Sequence, residues 1–339
     1  MINNVTKLQN VGLSTDVVHN ESIVNNLREF LRQGEAFSEN TLNQLMYIFG
    51  AWSAWCKEHN RPELPANPED FKEYVAELRA RGLASTSIET HKTYLNILHR
   101  HAGLTPLTAD LSISREMRLT RRRAAIDGEK TGQAIPLHRD DIKALTKKWE
   151  HSEQLAELRN LAAIYMSYNT MLRIAELSRL RVGDLRYQPN GTILVNVRYT
   201  KTDVDVLKIL GRKSAAIVTR WLKASGLVDD PEAFVLAPVT RFNTVRKMNE
   251  PMGRPALGRI FASAWSALEK DPAKTNKGRY ATWTGHSCRV GAAQDLLLNG
   301  ESLAVIMHEG CWRDPKQAMS YLREVEAQKS KLVNLMDNE

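Results

Sequence analysis

Cysteine is scarce in this chain. Its 339 residues include only Cys56, Cys288 and Cys311, and no two stand at CxxC spacing. An odd, scattered set supports neither a disulfide framework nor a cysteine zinc site; it fits reduced thiols in a cytoplasmic setting, with Cys56 a core residue. Long apolar runs are also missing. Nothing approaches the roughly 18 residues of a membrane span, and mean hydropathy is −0.40. The first twenty residues have no basic start and no continuous apolar stretch, which argues against a secretory signal. There is no GxxxxGKS/T loop, no GxGxxG turn and no GxSxG elbow, so nucleotide hydrolysis, dinucleotide binding and serine hydrolysis lack support. His91, His99 and His101 lie close in sequence, but an i, i+2 pair does not share a helix face and no cysteine joins them. Neither a metal nor a small-molecule cofactor is expected.

Positive charge is what the chain has in excess: 47 Lys and Arg against 39 Asp and Glu, a formal +8. That balance points to a polyanionic partner. The length is about twice that of a usual domain, so two domains are expected. Residues 1–20 are polar and unpatterned and read as a disordered tail. Helical periodicity then dominates. Leu42, Leu45, Phe49, Trp52 and Cys56 form one stripe, with Ser38 and Thr41 as N-cap oxygens and Gln44 placed for a capping box on Thr41. Asn67 and Pro68 start a second helix with Phe71, Tyr74, Val75 and Leu78 inward, and a third begins near Ser85 with Ile88, Leu95 and Leu98 inward. Residues 21–127 therefore read as an all-helical core domain. Between Arg115 and Arg123 five arginines face a single acid; the run is either a solvated helix face or a polyanion contact. The two-glycine stretch that follows is the best linker, over 128–135.

Residues 136–339 read as a second, mostly helical domain. Arg173 and Glu176 stand i, i+3 on a helix, where the carboxylate can hold the guanidinium. In Thr192–Tyr199 the period changes to two, and a further apolar stretch follows Lys201-Thr202-Asp203. This predicts a small antiparallel sheet with Lys201 at a hairpin tip. Beyond Ala215 the pattern reads as helical to the end. His286 and Arg289 are again i, i+3, after a glycine turn, and Asp314-Pro315 caps a helix that carries Tyr321 two turns in.

Each of these pieces is ordinary alone. In order, Arg173, Lys201, His286, Arg289, Trp312 and Tyr321 resemble the active-site series of the tyrosine recombinases, or phage integrases. The strings YNTMLRIAELSRLRVGDL, YTKT, GRYATWTGHSCRVGAA and GCWRDPKQAMSYLR carry the resemblance, and AFSENTL, AWSAWC, ARGLASTSIETH, LNILHR and GEKTGQAIPL extend it through the first half. It is closest to the branch that includes Cre and Dre.

The resemblance implies a mainly α fold in which the two domains form a C-shaped clamp around double-stranded DNA. It implies a site-specific recombinase that cuts through a 3′-phosphotyrosine on Tyr321 and needs neither metal nor ATP, because the bond energy is kept. Arg173 and Arg289 would grip the phosphoryl oxygens, Glu176 would orient Arg173, and Lys201 would protonate the leaving 5′ oxygen. His286 would serve as base or as phosphate donor, and Trp312 would donate its indole N–H. Backbone contacts would come from Arg115, Arg118, Arg121, Arg122 and Arg279, and base contacts from Asn43, Gln44, Thr86 and Thr90. Pro255 stands where the branch has a base-contacting arginine, which leaves Arg254 as the substitute. Cys288 and Cys311 occupy positions that are small in the branch (Cys311 a glycine) and raise a question of oxidation sensitivity. The implied assembly is a dimer on each inverted-repeat site and a homotetramer on two sites, exchanging strands through a Holliday junction. In it the final KSKLVNLMDNE segment either packs on its own domain or docks on a neighbour. The implied setting is a bacterial cytoplasm, on phage, plasmid or nucleoid DNA. A non-cutting architectural factor with the same fold is the alternative.

Overall fold

The computed structural model describes residues 21–32, 37–129, 132–198, 206–271 and 281–328. The tail, Lys201, Arg279 and the KSKLVNLMDNE segment lie outside them. The chain divides into two compact units, 1–131 and 132–339.

The first unit is helical: α1 (Glu21–Arg32), α2 (Glu39–Glu58), α3 (Pro68–Ala80), α4 (Ser85–His101) and α5 (Leu111–Ile126). Apolar positions three and four apart put Trp52, Phe71, Ile88, Leu95, Ile113 and Met117 in one core. Ser38, not Thr41, caps α2: its hydroxyl accepts from the Thr41 N–H at 3.2 Å. Helix α2 therefore starts two residues before Thr41, and the expected Thr41–Gln44 capping box does not form. Asn67 caps α3 as expected. The α4 cap is supplied from afar. Ala84 has no side-chain oxygen to offer, and the Glu129 carboxylate accepts from the Ser85 N–H at 2.9 Å and from its hydroxyl at 2.8 Å. The histidines have internal partners: His91 Nδ1 meets the Tyr74 hydroxyl at 3.0 Å, and His99 accepts from the Ala66 N–H at 3.1 Å.

The second unit holds α6 (Arg139–Trp149), α7 (Leu155–Thr170), α8 (Ile174–Ser178), β1 (Leu185–Tyr187), β2 (Ile193–Val197), β3 (Val206–Leu210), α9 (Arg212–Ala224), α10 (Arg254–Ala267), α11 (Ser287–Leu298), α12 (Leu303–Gly310) and α13 (Pro315–Gln328). The fold is mainly helical with one small antiparallel sheet of order β1-β2-β3. The sheet's inner residues Leu185, Ile193, Val195, Val197 and Leu210 join Leu161, Ile164, Val218, Trp221 and Phe261 in the main core. A smaller cluster, Met171, Ala292, Ala293, Ile306, Trp312, Ala318 and Leu322, packs α11, α12 and α13 together.

One expectation fails here. The stretch after Ala215 is not helical throughout, because residues 225–253 are irregular. Their apolar residues are held by distant backbone bonds instead: Val235 N–H donates to the Leu180 carbonyl at 2.9 Å, and Trp221 Nε1 donates to the Val235 carbonyl at 2.7 Å. Among the described residues no helix is long and apolar enough to cross a membrane.

Candidate active site

Helix α7 ends where Met171 turns into the left-handed region, φ 51°. The turn carries the chain into Arg173, which is the N-cap of α8 and not a residue within a helix. Glu176 reaches back in a capping box. Its Oε2 accepts from the Arg173 N–H at 2.8 Å, and its Oε1 accepts from Arg173 Nη1 at 2.9 Å. The i, i+3 spacing is therefore a cap in which one buried carboxylate fixes both the backbone and the side chain of Arg173.

His286 is the N-cap of α11, and Arg289 sits one turn further on. A β-carbon at Gly285 would stand 2.8 Å from Ile174, so this glycine lets the His286 turn close onto the start of α8, beside Arg173. Arg289 is 3% exposed. Its Nη1 donates to the Met171 carbonyl and its Nη2 to the Gly310 carbonyl. Both acceptors lie at helix C-termini, where partial negative charge suits a cation. Burial and then the Arg173 charge hold Arg289 below the usual arginine range. Two cations so close, one of them buried, form a place for an anion.

Helix α12 ends at Gly310, and Cys311 turns the chain through φ 50° into Trp312. A β-carbon at Gly310 would meet the Trp312 ring at 2.3 Å; only glycine lets the indole lie there. The Arg289 guanidinium sits 4.6 Å from the Trp312 ring centroid, and Trp312 stacks on Tyr321 with centroids 5.1 Å apart. Trp312 is 4% exposed, and its Nε1 has no hydrogen-bond partner among the described residues.

Tyr321 is half-buried on α13, whose start is capped by Asp314, with Oδ1 accepting from the Lys316 N–H at 2.9 Å. Two amides hold its main chain. Gln294 Nε2 donates to the Tyr321 carbonyl at 3.0 Å and Gln133 Nε2 to the same oxygen at 3.3 Å. These glutamines, and the Met171 and Gly310 carbonyls, escape sequence reading because nothing local marks a backbone acceptor or a distant amide donor.

The structure thus brings Arg289, Trp312 and Tyr321 into contact, with Arg173, Glu176 and the His286 turn beside them. Cys288 is fully buried and burial pushes its thiol up to about 12, the opposite of the exposed, low-pKa setting of a reactive thiol. Cys311 is exposed. In the first unit Arg115, Arg118, Arg121 and Arg122 are all exposed on α5, Asn43 is exposed on α2 with Gln44 half-buried beside it, and Thr86 is exposed on α4. Thr90 spends its hydroxyl proton on the Thr86 carbonyl at 2.9 Å. Arg254 opens α10, exposed, with Pro255 in the first turn. No group of three metal-binding side chains gathers among the described residues.

Comparison with known proteins identifies the family. Residues 136–328 match the Phage integrase family. The whole chain is 35% identical, over 344 residues, to the recombinase Cre of Escherichia phage P1, covering 99% of Cre. It is 22% identical to an integrase/recombinase xerD homolog of Selenomonas ruminantium, covering 95% of this chain and 94% of that one. Among solved structures, the Tn1549 transposon integrase in complex with a circular intermediate DNA superposes with a TM-score of 0.59, at 17% identity, over 91% of this chain and 99% of that one. At 17% identity the last likeness concerns the fold alone, whereas the 35% identity to Cre extends over the full length. The chain belongs to the phage integrase family, the tyrosine recombinases.

Proposed function

We propose that this chain is a site-specific DNA recombinase in which Tyr321 is the nucleophile. The observation that carries the reading is the convergence of Arg289, Trp312 and Tyr321 at one point, beside a second fixed arginine. The Tyr321 phenol oxygen attacks a backbone phosphorus, a P–O bond to tyrosine forms, and the bond to the 5′ oxygen breaks. Lys201 gives the leaving oxygen its proton, and His286 takes the phenol proton or hydrogen-bonds the phosphoryl group. Charge builds on the non-bridging oxygens as this happens, and Arg173 and Arg289 neutralise it. Trp312 adds its N–H. Because a phosphodiester is exchanged for another phosphodiester, no outside energy source or cofactor is required.

Substrate binding follows from charge. The exposed arginines of α5 serve the phosphate backbone, as does Arg279, while Asn43, Gln44, Thr86, Thr90 and Arg254 serve base edges. The functional assembly is a dimer on each inverted-repeat site and a homotetramer on two, passing through a Holliday junction, with the KSKLVNLMDNE segment docked on a neighbour. The segment 128–135 links the two domains.

The test is covalent capture. The protein is mixed with a duplex library of randomised sequence in EDTA, denatured with SDS, and the attached DNA is sequenced. The expected result is one inverted-repeat family of sites, captured by the wild type and lost in Tyr321→Phe. Tight, selective binding without an adduct would instead identify a non-cutting DNA-binding factor.

A further inference from the structure

Strand β3 carries its side chains the wrong way round for a sheet packed on one face. Leu207 and Ile209 point out, 60% and 53% exposed, while Lys208 is turned inward, 8% exposed. Its register partner is Val195, a fully buried core residue. Patterning rules would place a polar residue at 207 or 209 and an apolar one at 208. Such an inversion is expected where function overrides packing.

Among the described residues the inward ammonium meets the end of α12. Lys208 Nζ donates to the carbonyl of Glu309, whose carboxylate stands 3.8 Å away. The next carbonyl along, Gly310, accepts from Arg289. The last two residues of α12 thus receive two cations from two different elements, β3 and α11. Beyond them the chain turns through left-handed Cys311 into Trp312. A methionine at 208 would fill the same volume without the desolvation cost of a buried charge, so packing alone does not call for lysine.

We propose that Lys208 is a positioning residue for strand cleavage, tying β3 to the carbonyl end of α12 and so holding the turn that offers Gly310 to Arg289 and Trp312 to Tyr321. This rests on the recombinase reading above.

The test uses the full-length protein and a nicked duplex carrying the captured site, which traps the covalent adduct. At saturating DNA, Lys208→Met should lower the first-order rate of adduct formation tenfold or more. The DNA dissociation constant should change less than twofold, and the urea midpoint should not fall. With an uncharged methylphosphonate at the scissile position Arg289 has less charge to meet, and the defect should shrink below threefold. A wild-type rate in Lys208→Met would overturn the proposal. So would an equal defect on both substrates, or a lower adduct yield and urea midpoint at an unchanged rate, which is what a purely structural lysine gives. If the wild type forms no Tyr321 adduct at all, the recombinase reading fails and the proposal falls with it.

Discussion

The indole of Trp312 lies stacked on the phenol ring of Tyr321, centroids 5.1 Å apart and planes 27° from parallel. Its own N–H is buried without an acceptor among the described residues. An unsatisfied buried donor costs about 1–3 kcal/mol, and in the proposed reaction a phosphoryl oxygen bound between Arg289 and Tyr321 would be its acceptor. Trp312→Phe keeps a ring against Tyr321 and removes the donor. Adduct formation should slow by on the order of tenfold to a hundredfold, the scale of losing one donor to a charged transition state. Stability should move by no more than about 2 kcal/mol, since the lost volume and the relieved donor oppose each other. An unchanged single-turnover rate would remove Trp312 from the chemistry.

Arg289 has two of its donors committed to carbonyls, which aims the planar fork and leaves its remaining N–H groups for an anion. A lysine offers a point charge that cannot hold both carbonyls and a phosphate together. Arg289→Lys should therefore cut adduct formation by on the order of a hundredfold or more while DNA affinity, set by many contacts, changes far less. Parallel loss of affinity and rate would show that Arg289 serves binding and not the transition state.

Cys311 takes φ 50° in a position that glycine fills without strain. A left-handed conformation costs an L-residue about 1–2 kcal/mol, offset in part by the extra chain entropy of glycine, about 0.5–1 kcal/mol. Cys311→Gly should raise the urea midpoint by an amount equivalent to about 0.5–1 kcal/mol and leave the adduct rate intact. A lower midpoint would mean that the thiol makes a stabilising contact.

A pH-sensitive tie lies just outside the site. His138 Nδ1 meets Asp295 Oδ1 at 2.7 Å, and Tyr168 donates to Asp295 Oδ2 at 2.5 Å. The Asp295 hydrogen bond raises His138 above 6.5 against the effect of burial. Burial would raise Asp295, but the bonds from His138, Tyr168 and the Arg139 N–H outweigh it and hold the carboxyl below 3.8. His138 then stabilises the fold fully below pH 6.5, and that contribution fades as pH rises through its higher folded value. Asp295 contributes above pH 3.8 and loses its effect as pH falls through its lower folded value. Urea midpoints should therefore decline on the alkaline side of pH 6.5, and His138→Gln should flatten that decline. An identical slope in the mutant would show that His138 is not the titrating group.

Much of this was legible in the chain. Asp314-Pro315 announced the helix of Tyr321, Asn67-Pro68 announced α3, and period-two alternation located β2. Arg173 and Glu176 were legible as a pair, although their spacing encodes a cap and not a helix face. What stayed hidden depends on distant partners. The three residues of β1 are too short to show a period, and the order of 225–253 comes from bonds to Leu180 and Trp221 that no local pattern records. Lys208 was hidden for a different reason: a lysine between leucine and isoleucine reads as the exposed face of a strand, and only the register with Val195 turns it inward.

The central claim is that Tyr321 forms the bond to DNA. The direct measurement is to digest the SDS-stable adduct with protease and nuclease and map the modified residue by mass spectrometry. The account predicts a single peptide from α13 carrying a 3′-linked nucleotide on Tyr321, formed equally well in EDTA. A nucleotide on any other residue, or an adduct that persists in Tyr321→Phe, would contradict it.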